Sequence, residues 1–224
     1  FESVLAKGAN NRMFTRIKTE AVRATKELAV ERGECPDGVG SGVRNAHLLA
    51  VAPNASSSII CGNTSPSIEP YRANAFTQKT KSGSSLLKNE YLEHALDEID
   101  QNTDEVWKSI ITNGGSCQHL DFLDDYTKDV FKTAVEIDQK WIIELAGDRQ
   151  KHICQSQSLN IFFPADVAKQ ELHAIHMMAW KQGVKTLYYL RSEAMKRAET
   201  VSDEALRAYM FDSIDENACL ACEG

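Results

Sequence analysis

Near its carboxyl end the chain runs strand, helix, strand with almost no linker between them, and few folds accommodate that order. Residues 158–163 (SLNIFF) read as a strand, 165–182 as a helix closed by Gly183, and 184–190 (VKTLYYL) as a second strand. Glycine just past a helix accepts the left-handed conformation that ends it. Two strands joined through a helix cannot close a tight hairpin, so they pair in parallel with the helix crossing over one face. The expectation is an α/β fold built on a parallel sheet.

The preceding chain fits that class. Residues 1–34 read as a helix with a narrow apolar stripe at Ile17, Ala21, Ala24, Leu28 and Ala29, stopped at Gly33 and broken at Pro36. A Gly-rich loop occupies 36–46. The continuous apolar run 47–52 (HLLAVA) has the pattern of a strand buried on both faces, ended by Pro53. Residues 54–84 are polar and irregular, and so long a stretch is usually functional or disordered. Residues 89–111 and 124–147 read as two helices separated by NGGSCQHLD. A further helix is expected at 193–209, then a mobile acidic tail. These expectations divide the chain into a body, 1–210, and a tail, 211–224.

Composition narrows the function classes. A chain of 224 residues can bury a sizeable core without staples. Its net charge of −7 disfavours non-specific attraction to nucleic acid or to an acidic membrane. No apolar run approaches the roughly 20 residues of a spanning helix. Six sparse cysteines and the lack of a signal-peptide pattern point to a reducing, cytoplasmic setting. The chain begins at Phe1, in a helix-friendly stretch, which suggests a processed or split piece of a longer polypeptide.

Three constellations could carry chemistry. In APNASSSIICGN a strand runs into Pro53, Asn54, Ala55, Ser56 and Ser57, small residues before a possible helix start. Free N–H groups and hydroxyls there form an anion site, or the segment is an ordinary capped turn. Neither standard nucleotide loop is present. Tyr188-Tyr189 is either strand packing or a radical relay, since a phenol can lose an electron and a proton together. Ideal strand geometry points neighbours to opposite faces, so a stacked pair requires the backbone to bend or end there. Cys219-x-x-Cys222 lies within six residues of the last position. It supplies half of a zinc site, with His173 and His176 as remote partners, or a dithiol on a flexible arm suited to exchange. Cys35, Cys61, Cys117 and Cys154 read as inert small residues, and Glu69 as a structural acid.

Together these features resemble the C-terminal part of the large (alpha) subunit of class I ribonucleoside-diphosphate reductase. The matching text is GVRNAHLLAVAPNASSSIICGNTSPSIEPY, CQSQSLNIFF, WKQGVKTLYYLR and the terminal CLAC. The resemblance implies a C-terminal portion of a ten-stranded α/β barrel with a flexible tail. It implies that Pro53 to Ser57 hold the substrate diphosphate, and that Tyr189 faces the radical-generating beta subunit while Tyr188 faces an active-site thiol. It further implies that Cys219 and Cys222 accept electrons from thioredoxin or glutaredoxin. No cofactor or metal is expected in this chain, because the radical comes from a metal-containing beta subunit. In that family the thiyl-radical cysteine, its neighbouring acid and amide, and the nucleotide-binding regulatory sites lie upstream. The chain is therefore expected to be inactive alone, poorly soluble or oligomeric, and completed by an N-terminal partner. The competing expectations are a non-catalytic phosphate-ligand-binding protein with a metal-binding or redox tail, and a stand-alone thiol oxidoreductase.

Overall fold

A computed structural model describes residues 1–54, 57–62, 64–80 and 83–192 of the chain. They form two compact units, one from residues 1–70 with 134–192, the other from residues 71–133.

The first unit opens with α1 (Val4–Arg32), whose N-cap Ser3 accepts the Ala6 N–H. Its buried residues are Asn10, Phe14, Thr25 and Ala29; of the expected stripe only Ala29 is buried, Ala21 and Leu28 are half-buried, and Ile17 and Ala24 are exposed. Hydrogen bonding explains the rotation. Asn10 Nδ2 donates to the Leu145 carbonyl at 3.1 Å, and Thr25 Oγ1 to Asn45 Oδ1 at 3.1 Å. Polar side chains that complete a buried backbone group outrank small apolar ones for that face. After a 3-10 turn at Pro36–Gly38, the short α2 (Ser57–Ile60) follows the Pro53 turn.

The second unit starts with an antiparallel hairpin, β1 (Ala75–Thr80) and β2 (Gly83–Lys88), where the sequence suggested only irregular chain. Its strands are too polar to announce themselves by alternation. The helix expected over 89–111 is two, α3 (Glu90–Asp97) and α4 (Asp104–Thr112). Asp100 takes φ +55 between them, and Thr103 caps α4 by accepting the Val106 N–H. The stretch 124–147 is likewise split, into α5 (Asp125–Val130) and α6 (Gln139–Gln150), with α6 and its N-cap Asp138 in the first unit. Leu92, Leu96, Trp107, Ile110 and Cys117 form the core of the second unit.

Strand β3 (Ile161–Phe163), helix α7 (Lys169–Lys181) and strand β4 (Leu190–Ser192) complete the first unit, and β3 pairs with β4 in parallel. The strand–helix–strand order and the parallel pairing are as expected, with Gly183 at φ +75 after α7, but the second strand, expected over 184–190, begins only at Leu190. Ile142, Ile143 and Ala146 of α6 pack with Leu159, Ile161 and Phe163 and with Ile175 and Ala179 of α7. Each such large aliphatic contributes about 1.5–3 kcal/mol by burial. The expected strand at 47–52 is one isolated parallel bridge, Val51 to Gln157, and its side chains are half-buried or exposed. Burial on both faces needs a layer on each side, and the described residues do not supply both. No helix among the described residues is long and apolar enough to cross a membrane.

Candidate functional site

The middle of the site is the segment 155–163, which has partners on both edges. On one edge the Val51 N–H donates to the Ser156 carbonyl at 3.2 Å, and the Ser158 N–H to the Val51 carbonyl at 2.9 Å. On the other, the Tyr188 N–H donates to the Leu159 carbonyl at 2.8 Å, and the Ile161 N–H to the Tyr189 carbonyl at 3.0 Å. The first partner leaves at Pro53, which has no N–H to continue a ladder. Asn54 then turns the chain at φ +51. The vacated edge is filled by side chains. Ser67 Oγ donates to the Ser158 carbonyl at 3.1 Å, Glu69 Oε1 accepts the Asn160 N–H at 3.2 Å, and Gln139 Oε1 accepts the Phe162 N–H at 2.9 Å. Counting on from the Val51–Gln157 pair sets the start of the turn level with Leu159, the residue that Tyr188 reaches from the opposite edge. Two strand spacings, about 9.5 Å, separate such outer segments.

Tyr188 and Tyr189 send consecutive N–H groups to the same neighbouring segment. The first reaches Leu159, the second Asn160 Oδ1 at 3.0 Å. Successive N–H groups of a regular strand point to opposite edges, so the backbone bends here, and the ladder becomes regular only at Leu190. The bend turns both phenols to one side. Their ring centroids are 4.1 Å apart with planes inclined at 51°, and Tyr188 is 46% exposed. The bend is thus present where neighbouring tyrosines were expected to need one in order to meet. Arg191 lies over the Tyr189 ring at 4.6 Å, and its buried Nε has no hydrogen-bond partner among the described residues. Arg191, Asn160 and Glu69 were not singled out from the sequence for this role. The alternation of Tyr189 and Arg191 along a strand was the available signal.

In the turn, the Ser58 N–H donates to the Asn54 carbonyl at 3.1 Å and the Cys61 N–H to the Ser57 carbonyl at 2.9 Å. Pro53, Asn54 and Ser57 are exposed, and Ser58 is buried. Ala55 and Ser56 lie outside the described residues, as do Cys219 and Cys222.

Cys154 departs from the inert reading. Its sulfur accepts the Leu48 and Leu49 N–H groups at 3.0 and 3.1 Å. Burial opposes its ionisation, but the Leu49 and Leu48 donors and the charge of Lys18 together outweigh burial, and the thiol sits below its ordinary value. His173 and His176 are exposed on α7, and no group of three or more possible metal ligands occurs among the described residues.

Residues 36–190 match the family model described as "Ribonucleotide reductase, barrel domain". The chain belongs to the ribonucleotide reductase barrel family. It is 47% identical over 222 residues to the ribonucleoside-diphosphate reductase large subunit of Invertebrate iridescent virus 6, covering 97% of this chain and 23% of that one. With the large subunit of Invertebrate iridescent virus 3 it shares 46% over 226 residues, covering 100% of this chain and 35% of the relative. Among solved structures, the Actinobacillus ureae class Id ribonucleotide reductase alpha subunit superposes with a TM-score of 0.80 at 38% identity, over 88% of this chain and 36% of that one. The chain thus spans between about a quarter and two fifths of the relatives it matches. As a ribonucleotide reductase barrel portion it meets the fold expectation. The family match also favours the reductase reading over a non-catalytic phosphate-binding protein or a stand-alone thiol oxidoreductase.

Proposed function

We propose that this chain is the part of a ribonucleoside-diphosphate reductase large subunit that receives the radical, holds the substrate diphosphate and carries the terminal reductant. The observation that carries the proposal is the 4.1 Å ring pair of Tyr188 and Tyr189 in a member of this family. A phenoxyl at Tyr189, formed by a separate metal-containing beta subunit, takes a hydrogen atom from the Tyr188 phenol. One O–H bond breaks and one forms, so an electron and a proton move together and no further oxidant is needed. The Tyr188 phenoxyl then takes hydrogen from a cysteine thiol in the upstream polypeptide, and the resulting thiyl radical acts on the ribose.

Pro53, Asn54, Ala55, Ser56 and Ser57 are the diphosphate turn. The exposed placement of the described three, beside the segment whose other edge pairs with the tyrosines, supports that role. Loss of the 2′-hydroxyl as water oxidises two upstream thiols to a disulfide. Cys219 and Cys222 reduce that disulfide by exchange, becoming a disulfide themselves, and thioredoxin or glutaredoxin returns two electrons and two protons. Residues 1–210 serve as the barrel part and 211–224 as the redox tail, in a cytoplasmic assembly with the N-terminal part of the large subunit.

The test combines this chain with the N-terminal part, a beta subunit and a reductant, and measures deoxyribonucleoside diphosphate. Tyr188→Phe is expected to abolish turnover with every reductant. Cys219→Ser with Cys222→Ser is expected to abolish it with thioredoxin but to spare it with a small dithiol that reaches the active site. Full turnover by Tyr188→Phe would overturn the radical assignment.

A further inference from the structure

We propose that Arg191 is a positioning residue that holds Tyr189 in its stack with Tyr188. The functional part of this inference rests on the radical reading given above. The positioning part stands on geometry alone. Arg191, in β4, stands two residues past Tyr189 and its side chain turns to the side of that ring. The guanidinium carbon sits 4.6 Å from the Tyr189 ring centroid, within the range of a cation–π contact.

The hydrogen bonds of Arg191 make the arrangement informative. A guanidinium offers five N–H donors and ordinarily spends them on carboxylates or carbonyls. Here the buried Nε has no partner among the described residues. Leaving a buried donor unsatisfied is costly, so the side chain is kept in place by something other than that hydrogen bond. The contact with the Tyr189 ring is what it makes instead. Tyr189 is therefore held from two directions: Asn160 Oδ1 accepts its backbone N–H at 3.0 Å, and Arg191 covers its ring. Tyr188, 46% exposed, presents its ring to the side of Tyr189 that the stack defines.

The consequence is a defined ring-to-ring geometry. A phenol that rotates away from its neighbour lengthens the hydrogen-atom path, and small misplacements of reacting groups have large effects on rate. Arg191 acts through Tyr189 and touches no substrate, so its loss should lower kcat and leave KM for the ribonucleotide unchanged.

The experiment places 3-fluorotyrosine at position 189 in this chain assembled with the N-terminal part of the large subunit. The fluorine spectrum then compares wild type, Arg191→Gln and Arg191→Lys. The expected result is a single resonance in wild type and, in Arg191→Gln, a displaced or second resonance from the unstacked ring. Arg191→Lys, which keeps the charge but not the planar fork, should return part of the shift. With beta subunit added, Arg191→Gln should lower kcat by about tenfold to a hundredfold at unchanged KM. An unchanged fluorine spectrum in Arg191→Gln would overturn the proposal, and so would a rise in KM that accounted for the whole loss. Should Arg191→Gln fail to fold, the Arg191→Lys spectrum decides by the same criterion. Retained turnover in Tyr188→Phe would remove the radical reading alone, leaving the fluorine spectrum to decide whether Arg191 holds the ring.

Discussion

Glu69 takes the place of a strand: its carboxylate accepts the Asn160 N–H at 3.2 Å, where the segment ending in Val51 has turned away. Asn160 in turn accepts the Tyr189 N–H through its side chain, so one buried acid anchors the residue that bends the tyrosine pair. Glu69→Leu removes the acceptor and leaves the buried N–H unpaired, which costs about 1–3 kcal/mol. Glu69→Gln keeps a carbonyl oxygen in reach and should cost less. Urea denaturation of the two variants measures the difference, and equal stability of Glu69→Leu and wild type would show that the contact is incidental.

Gly115 has no room for a side chain. It stands at φ +86, and a Cβ there would come within 2.2 Å of the Ala73 Cβ. Its carbonyl also accepts both the backbone and the side-chain N–H of Asn74, at 2.9 and 3.0 Å. Gly115→Ala must therefore move the chain before β1 and break those bonds. We expect a loss of about 2–4 kcal/mol, the sum of left-handed strain and overpacking. Gly114→Ala is the control, because it shares the positive φ but meets nothing within 4 Å. Equal losses for the two, read from thermal unfolding, would refute the packing argument.

What the sequence made legible follows from these contacts. The strand–helix–strand was readable because Ile161, Phe162 and Phe163 are buried on both faces and Gly183 marks the helix end. The break between α3 and α4 was not, because the apolar spacing of Leu92, Leu96 and Val106 runs through it. Thr103 followed by Asp104 and Glu105 was the overlooked sign, a capping residue with acids in the first turn. The Tyr188-Tyr189 stack could be posed as a question but not answered, since the bend depends on Asn160, remote in sequence. The spacing of Tyr189 and Arg191 could bring the pair together in the sequence, but the contact of the guanidinium with the ring and its unpartnered Nε are visible only in the folded chain.

Arg149 is buried, and no ion pair ties it to a carboxylate among the described residues. Its Nε donates to Gln157 Oε1 at 2.8 Å and an Nη to Asn10 Oδ1 at 3.4 Å. Burial pushes it down to about 10, so it remains charged at neutral pH. Because the unfolded chain binds this proton more tightly, its contribution to stability rises with pH only above about 10 and is flat from pH 6 to 9. Arg149→Lys should destabilise the first unit by about 2–4 kcal/mol at pH 7, since an ammonium cannot span both amides and is harder to desolvate. A buried lysine sits below its ordinary value by a larger margin, so stability of the variant should climb between pH 7 and 10. A flat profile in that window would show that the ammonium has escaped to solvent.

Cys154 should convert to thiolate more readily than an unperturbed thiol. The N–H groups of Leu48 and Leu49 and the charge of Lys18 favour the anion more than burial disfavours it. The sign follows from linkage. Its folded value lies below the unfolded one, so the stabilisation is present above the unfolded value and is lost as pH falls through the folded one. Alkylation by iodoacetamide, followed peptide by peptide, is expected to give Cys154 a midpoint below that of an unperturbed thiol. Neutralising the cation with Lys18→Met should raise that midpoint, although the two N–H donors remain. Cys154→Ser retains an acceptor for both N–H groups and should fold, but it cannot ionise, so stability should lose its thiol-dependent slope at alkaline pH. A Cys154 midpoint at or above the unperturbed value would mean that burial, not the amide pair, governs this sulfur.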